Sequence, residues 1–554
     1  MSEHVDTVVV GSGFGGSIVA WRVAEAGKEV VVLERGKAWA PGSFPRRPHE
    51  IAQSFWDPSR GLHGLLNVWS FKNLGAIVSS GLGGGSLIYA NVLLRKDERW
   101  FCDALGSGES RDWPIAYEHL VRHYERVEQL IAAEPYPFVE LTAKTRAMRA
   151  AAEQLAHSGA KATWSLPPLA IAFRDAQGHA SPGAPLVEAH PNLHGATRST
   201  CRLCGECNLG CNYGSKHTLD HCVLSDAQRK GADIRTRVEV RRIARKGDGY
   251  EVGYVCHRDD VTDTRALPIV TLTCKRLVLA AGALGSTYLL LRNRAAFPGL
   301  SDRVGHCFNG NGDLLGLVLD AREPGSRRGR VLDGSHGPVI TSAIRIADER
   351  DGDGARGSGF YVEDAGYPQF VDWIAQGTHL DNMLQRIERF AHVWLRKHFS
   401  QNPSCDLGAD LAELFGGDAA RTWLPLLGMG RESPHGCATL DDRGQLAVDW
   451  SLDRAGDYFD RVQGTMQDIA SALHGKFEKN PLSYLQRVLT VHPLGGCPMG
   501  RNPGEGVVSS DGEVFGHPGF YVADGSVMPG PVGPNPALTI AACADHFADH
   551  MLRA

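Results

Sequence analysis

Two stretches at opposite ends of this 554-residue chain carry groups able to do chemistry together. Gly11-Ser-Gly-Phe-Gly-Gly16 sets Gly11, Gly13 and Gly16 in GxGxxG order, which lets backbone N–H groups at a helix start approach a pyrophosphate. The second stretch runs from His492-Pro-Leu-Gly-Gly-Cys497 through Phe520-Tyr-Val-Ala-Asp-Gly-Ser526 to Gly533-Pro-Asn-Pro536. It offers His492 as a base, because imidazole titrates near neutral pH, and Asn535 as a carboxamide that can hold an oxygen without competing for its proton. A dinucleotide cradle with a distant histidine and asparagine suits removal of a hydride and a proton from a hydroxyl-bearing carbon.

These groups need rigid supports. Thr7-Val-Val-Val10 is a β-branched run suited to a central parallel strand, and a helix is expected from Ser17 to Ala26. Lys28 to Leu33 predicts a second strand ending in Glu34, placed to accept ribose hydroxyl protons and to disfavour a 2′-phosphate. That motif alone does not separate NAD from FAD. Ser80-Gly-Leu-Gly-Gly-Gly-Ser86, leading to Tyr89-Ala-Asn91, is a second glycine loop without Walker spacing, suited to lying along an extended cofactor. Arg276 to Ser286 reads as a buried strand, a glycine turn and a helix, and Gly519 to Ser526 as a strand delivering Asp524 to a sheet end. So many contacts favour FAD over a nicotinamide nucleotide.

At this point the chain resembles the glucose-methanol-choline (GMC) flavoprotein oxidoreductases, in particular their bacterial cholesterol-oxidase-like branch. The likeness rests on the N-terminal cradle, Gly83-Gly-Gly-Ser86…Asn91, Ala280-Ala-Gly-Ala283, His492 to Cys497, and Asp524-Gly-Ser526…Asn535-Pro536. It weakens between about Asp313 and Gln486. The resemblance implies an α/β architecture. A doubly wound, Rossmann-like FAD-binding domain would comprise 1–44, 75–155, 212–312 and 500–554, and a discontinuous α+β substrate-binding domain on an antiparallel sheet would comprise 45–74, 156–211 and 313–499. It implies FAD contacts from Gly11, Gly13, Phe14, Gly15, Gly16 and Glu34, from Gly83, Gly84, Gly85, Ser86 and Asn91, and from Val240 on the adenine side. Ala281, Gly282, Asp524, Gly525, Asn535 and Pro536 complete that set. His492 and Asn535 are then catalytic, and Glu363 in Phe360-Tyr-Val-Glu-Asp-Ala-Gly366 matches a carboxylate facing the reacting group.

Of 13 cysteines, Cys201, Cys204, Cys207 and Cys211 stand in C-x2-C-x2-C-x3-C, the bacterial ferredoxin spacing for a [4Fe-4S] cluster, with Asn212 where proline usually follows. Zinc or a metal-free structural role are the other readings of the run. With a cluster, electrons would pass to a carrier protein or quinone; without one, oxygen would reoxidise the flavin. A flavin and iron–sulfur electron-transfer protein without an alcohol substrate, or non-redox lyase chemistry, stay open as alternatives.

Composition narrows the partners. A net charge of −5 without a long basic run excludes nucleic acid as the expected partner and leaves a small molecule. The longest apolar stretch, Leu277 to Leu291, is broken by Gly282, Gly285 and Ser286 and falls short of the about 20 residues a membrane span needs. Met1 to Asp6 runs directly into a strand, so a cytoplasmic location is expected. Aromatics of the middle third, Phe360, Tyr361, Tyr367, Phe370, Trp373, Phe390, Trp394, Phe399, Phe415, Trp423 and Trp450, suit a roof over a bulky lipophilic alcohol of sterol, terpenoid or polyketide type. Asp351 to Gly359 reads as a loop able to cover it.

Overall fold

Two large β-sheets organise the chain, whose computed structural model describes residues 3–104, 110–367, 420–480 and 488–553. In the first sheet the strands Asp233–Arg235, Val30–Leu33, Glu3–Val10 and Val270–Leu279 lie side by side and parallel. The long strand Val270–Leu279 then has two neighbours in succession on its far side. Its first half pairs antiparallel with Gly249–Cys256, which hairpins onto Val238–Lys246, and its last three residues pair parallel with Phe520–Val522. Val8, Val9, Val30, Val32, Leu277, Val278 and Val522 are buried, as in a sheet covered on both faces. The helices Phe14–Glu25 and Gly282–Arg292 cover it, and Ala537–Arg553 packs on the first of these, completing a doubly wound α/β layer.

Close packing at the strand ends sets the glycine cradle. Gly11 has φ +101°, where side chains are strained, and a Cβ there would lie 2.3 Å from the Ala280 carbonyl oxygen. A Cβ on Gly15 would lie 1.6 Å from the Ala523 oxygen, so the first helix rests directly on the turn that carries Asp524.

The second sheet is antiparallel throughout, in the order Ala162–Ser165, Ala343–Ile346, Phe360–Asp364, Leu424–Gly430, Leu314–Leu319, Lys476–Lys479. Helices Ala143–His157 and Tyr458–Ala472 back one face. Alternation along the strands decides what the other face presents. Phe360, Val362, Leu424 and Leu426 pack with the helices, while Tyr361, Leu427 and Met429 join a separate apolar cluster with Trp100 and Ala343. A third, smaller sheet joins Leu66–Ser70, Leu74–Ser79 and Val488–Thr490, and its last strand leads straight to His492. No helix among the described residues is long and apolar enough to cross a membrane.

The contact at Gly15 yields a stability test. Gly15→Ala, with a backbone oxygen in its way, lowers unfolding stability by about 1–3 kcal/mol or more in urea titrations. Gly13→Ala, with φ −71° and nothing within 4 Å of the added carbon, stays within about 0.5 kcal/mol of the parent.

Candidate active site

His492 is positioned by a single carboxylate. Asp313 is wholly buried, and its Oδ1 lies 2.8 Å from His492 Nδ1. Its Oδ2 accepts from the Val491 and His492 backbone N–H groups at 2.8 and 3.2 Å and from the Thr490 hydroxyl at 2.8 Å. Pairing at Nδ1 assigns the ring proton to that nitrogen and leaves Nε2 as the acceptor. The His492 side chain keeps 17% of its surface exposed, enough for access by a reactant.

Asn535 sits in a turn tied to the same loop as Asp313. Asn311, at φ +56°, donates its amide to the Gly533 and Pro534 carbonyls at 3.3 and 3.1 Å and accepts from Gly533 N–H at 2.9 Å. The Asn535 amide donates to Glu363 Oε2 at 3.2 Å, and its Oδ1 is buried without a protein partner. Glu363 lies in the strand Phe360–Asp364, on the face opposite Phe360 and Val362. Burial pushes its carboxyl up to about 8; the Asn535 hydrogen bond opposes that, and Asp364 and Asp313 add to it. A second buried acid, Glu432, accepts from Gly310 and Gly312 N–H at 2.6 and 3.1 Å, and burial raises its carboxyl to about 7.

His492, Asn535 and Glu363 thus converge through the loop Asn309–Asp313. Sequence reading missed Asp313, Asn311 and Glu432. The signal was present in Asn309-Gly-Asn-Gly-Asp313, a run in which polar groups alternate with glycines and cannot be solvated if the loop is interior.

The residues expected to hold FAD fit an extended phosphate-bearing ligand. The helix Phe14–Glu25 starts at Gly13 with no side-chain cap and no acid in its first turn, leaving N–H groups for an anion. A Cβ on Gly13, Gly85 or Gly282 would meet open space, so backbone is presented there. Glu34 Oε2 accepts from the Ser12 N–H and hydroxyl at 3.1 and 2.6 Å and Oε1 from Gly36 N–H at 2.8 Å, which ties the acid to the first glycine turn. The second loop follows suit: Gly83 has φ +103°, a Cβ on Gly84 would lie 2.6 Å from the Gly13 Cα, and Ser86 bridges the Gly83 carbonyl and Leu219 N–H. Asn91, at φ +72°, is fully buried, and Phe14 meets Tyr89 edge-on at 5.4 Å. Val240 is buried at a register shift two residues beyond Val238, whose N–H reaches the Glu34 carbonyl at 2.8 Å. Asp524 caps two turns at once: Oδ2 accepts from Gly282 N–H and the Ser286 hydroxyl, and Oδ1 from Ser526 N–H. Ala281 heads the helix Gly282–Arg292, Gly525 packs on Leu494, and Pro536 immediately precedes the helix Ala537–Arg553.

Cys201, Cys204, Cys207 and Cys211 are free thiols around one cavity, with Lys216 in its wall. The Leu203 N–H points at Cys201 Sγ at 3.4 Å and the Ser215 N–H at Cys211 Sγ at 3.3 Å. Lys216 is buried, donates to the Leu87, Tyr89 and Cys207 carbonyls, and is pushed down to about 8 by burial, with Cys207 and Cys211 opposing. Of the aromatics expected over a pocket, Phe370, Trp373, Phe390, Trp394, Phe399 and Phe415 lie outside the described residues. Phe360 and Trp450 are core against the helices.

Comparison with known proteins gives matches of family, sequence and fold. Models of GMC oxidoreductases match residues 189–305 and 451–544, and a model of an NAD(P)-binding Rossmann-like domain matches residues 9–46. A cholesterol oxidase of Mycobacterium tuberculosis is 28% identical, the match covering 99% of this chain and 91% of that protein. A cholesterol oxidase of Acinetobacter baumannii is 25% identical over 99% of this chain and 94% of its own length. The crystal structure of pyridoxine 4-oxidase from Mesorbium loti shares the fold, with TM-score 0.58 and 17% identity over 99% of both chains.

The raised carboxyl of Glu363 has a pH signature. A carboxyl whose folded pKa lies near 8 against an ordinary 4.5 favours the fold most below about 4.5, and this contribution falls until the pH passes about 8. Glu363→Gln therefore loses less unfolding stability than the parent between pH 5 and 8, as measured by denaturant midpoints across that window.

Proposed function

Because this chain belongs to the GMC oxidoreductase family and is an FAD-dependent alcohol oxidoreductase, we propose that it oxidises a bulky, lipophilic primary or secondary alcohol with His492 as the base. The observation that carries this reading is the loop Asn309–Asp313, which secures both reactive side chains: Asp313 holds His492, and Asn311 holds the turn of Asn535. Bound FAD supplies the acceptor for the hydride that leaves the carbinol carbon. His492 Nε2 takes the hydroxyl proton, and Asp313 stabilises the imidazolium that results. Asn535 orients the substrate oxygen. A neutral Glu363 is both donor and acceptor, so it supports either orientation of that amide; when it donates to the amide oxygen, both amide hydrogens are left for the developing alkoxide. Support for a sterol, terpenoid or polyketide-like substrate comes from the likeness to cholesterol oxidases.

The four cysteines support a [4Fe-4S] cluster over a single zinc ion. Tetrahedral zinc with bonds of about 2.3 Å needs its sulfurs about 3.8 Å apart. Among the described residues, the groups of three or more ligand atoms mutually within 4.8 Å are His194–Asp220–His221 and Asp511–His546–His550, not the thiols. Cys201, Cys204, Cys207 and Cys211 would hold the cluster, which supplies one-electron chemistry, and the buried Lys216 ammonium would offset its negative charge. With it the electron acceptor is a carrier protein or quinone; without it, oxygen.

Anaerobic mixing with a panel of sterols, terpenoids and simple alcohols tests the base. Bleaching of the flavin band by a bulky member is expected, about 100-fold slower or more in His492→Ala and at least about tenfold slower in Asp313→Asn at equal flavin content. Undiminished bleaching in His492→Ala sinks its assignment, and no bleaching by any alcohol favours an electron-transfer protein. Iron and labile sulfide, assayed on protein purified without oxygen, should come to about four of each per chain and vanish in Cys207→Ser. Iron-free parent protein leaves the cysteines structural.

A further inference from the structure

Outside the site just described, the C-terminal helix Ala537–Arg553 carries His546 and His550, one turn apart, over a carboxylate from a separate segment. His546 Nε2 lies 3.4 Å and His550 Nε2 3.3 Å from the same atom, Asp511 Oδ1. We propose that Asp511, His546 and His550 form a binding site for a divalent transition cation of the zinc class, with water as fourth ligand. The distances carry the argument. Hydrogen bonds between nitrogen and oxygen span about 2.7–3.2 Å, so both contacts are long for direct bonds. Ligand atoms held about 2.0–2.1 Å from a tetrahedral ion stand about 3.3–3.4 Å apart, which is the separation observed on both edges that meet at Asp511.

The site is built, not a chance meeting of surface groups. Gly512, at φ +79°, lets the turn lie flat on the helix: a Cβ there would stand 2.5 Å from the Phe547 ring. The Gly512 carbonyl accepts from Val522 N–H at 2.9 Å, and Asp511 N–H is held by the Ser509 hydroxyl at 3.2 Å. The Asp511 position is thereby fixed to both the central sheet and the helix. His546 is largely buried with Nδ1 lacking a partner, so Nε2 faces Asp511 and the ring is not diverted elsewhere. The other carboxylates of the helix do not compete, because Asp545 is engaged by Arg22, Arg126 and His123, and Asp549 by Arg22 and Arg122. His550 and Asp511 each keep about two-fifths of their side-chain surface exposed, which gives an ion its way in and the fourth position its water. Two histidines and a carboxylate are borderline to hard ligands, suited to zinc, cobalt(II) or nickel(II) and poorly suited to calcium or magnesium. An ion bound there staples the last helix to the turn that feeds the strand Phe520–Val522.

The test uses chelator-treated full-length holoenzyme, titrated with zinc chloride against a chromophoric chelator. The parent should bind one more zinc per chain than His550→Ala and Asp511→Asn, and its thermal midpoint should rise with zinc where those of the variants do not. Cobalt(II) should give a tetrahedral visible absorption that disappears in both variants while flavin content is unchanged; zinc bound at the four cysteines would persist in both and bring thiolate charge-transfer bands. Equal zinc stoichiometry and equal thermal response in parent and both variants overturns the proposal, as does a cobalt spectrum unaffected by either substitution.

Discussion

All four acceptor contacts of Asp313 go to one short stretch of chain. With no exposed surface, its carboxylate binds the Thr490 hydroxyl, the Val491 and His492 N–H groups and the His492 ring. A buried carboxylate without such partners would be strongly unfavourable, so folding of the interior and placement of the imidazole are one event. Two residues away, Asn311 does for the Gly533 and Pro534 carbonyls what Asp313 does for His492. One glycine-rich loop thereby holds segments 179 and 222 positions further along the chain.

Buried lysines repeat that device elsewhere. Lys96 donates to the Pro531 and Val532 carbonyls just before the Asn535 turn, Lys144 to Pro338 and Val339 beside the cysteine cavity, and Lys216 to Leu87 and Tyr89 in the second glycine loop. Each ammonium gathers carbonyls from irregular chain that no strand can pair. This is how loops rich in glycine and proline are held still inside the protein without regular hydrogen bonding.

Local pattern made the cofactor half legible. The β-branched strands, the GxGxxG turn and Glu34 each carry their meaning within about 20 residues, where sequence spacing and spatial spacing agree. The partner of the reactive histidine was not legible, because Asp313 and His492 are 179 positions apart and the run Asn309–Asp313 signals an interior polar loop without naming what it holds. Glu363 shows the same limit in milder form: the apolar run around it implies a strand, but which face it occupies is settled by the helices behind the sheet, and the helix Ala143–His157 reads as part of either layer until its partners are seen. The cysteine spacing is local, but what it encloses depends on Lys216, Gly337 and Pro338 arriving from outside the run.

The strand Val270–Leu279 changes partners partway along, and the three residues Phe520–Val522 fill the second place. Those residues come after most of the chain has been made. Until they insert, the sheet has an open parallel edge at the point where Asp524 would cap two turns. Pairings this distant are slow to form, since loop closure is paid before contact energy is gained. A chain shortened before Phe520 would therefore lack both the seal of the sheet and the Asn535 turn.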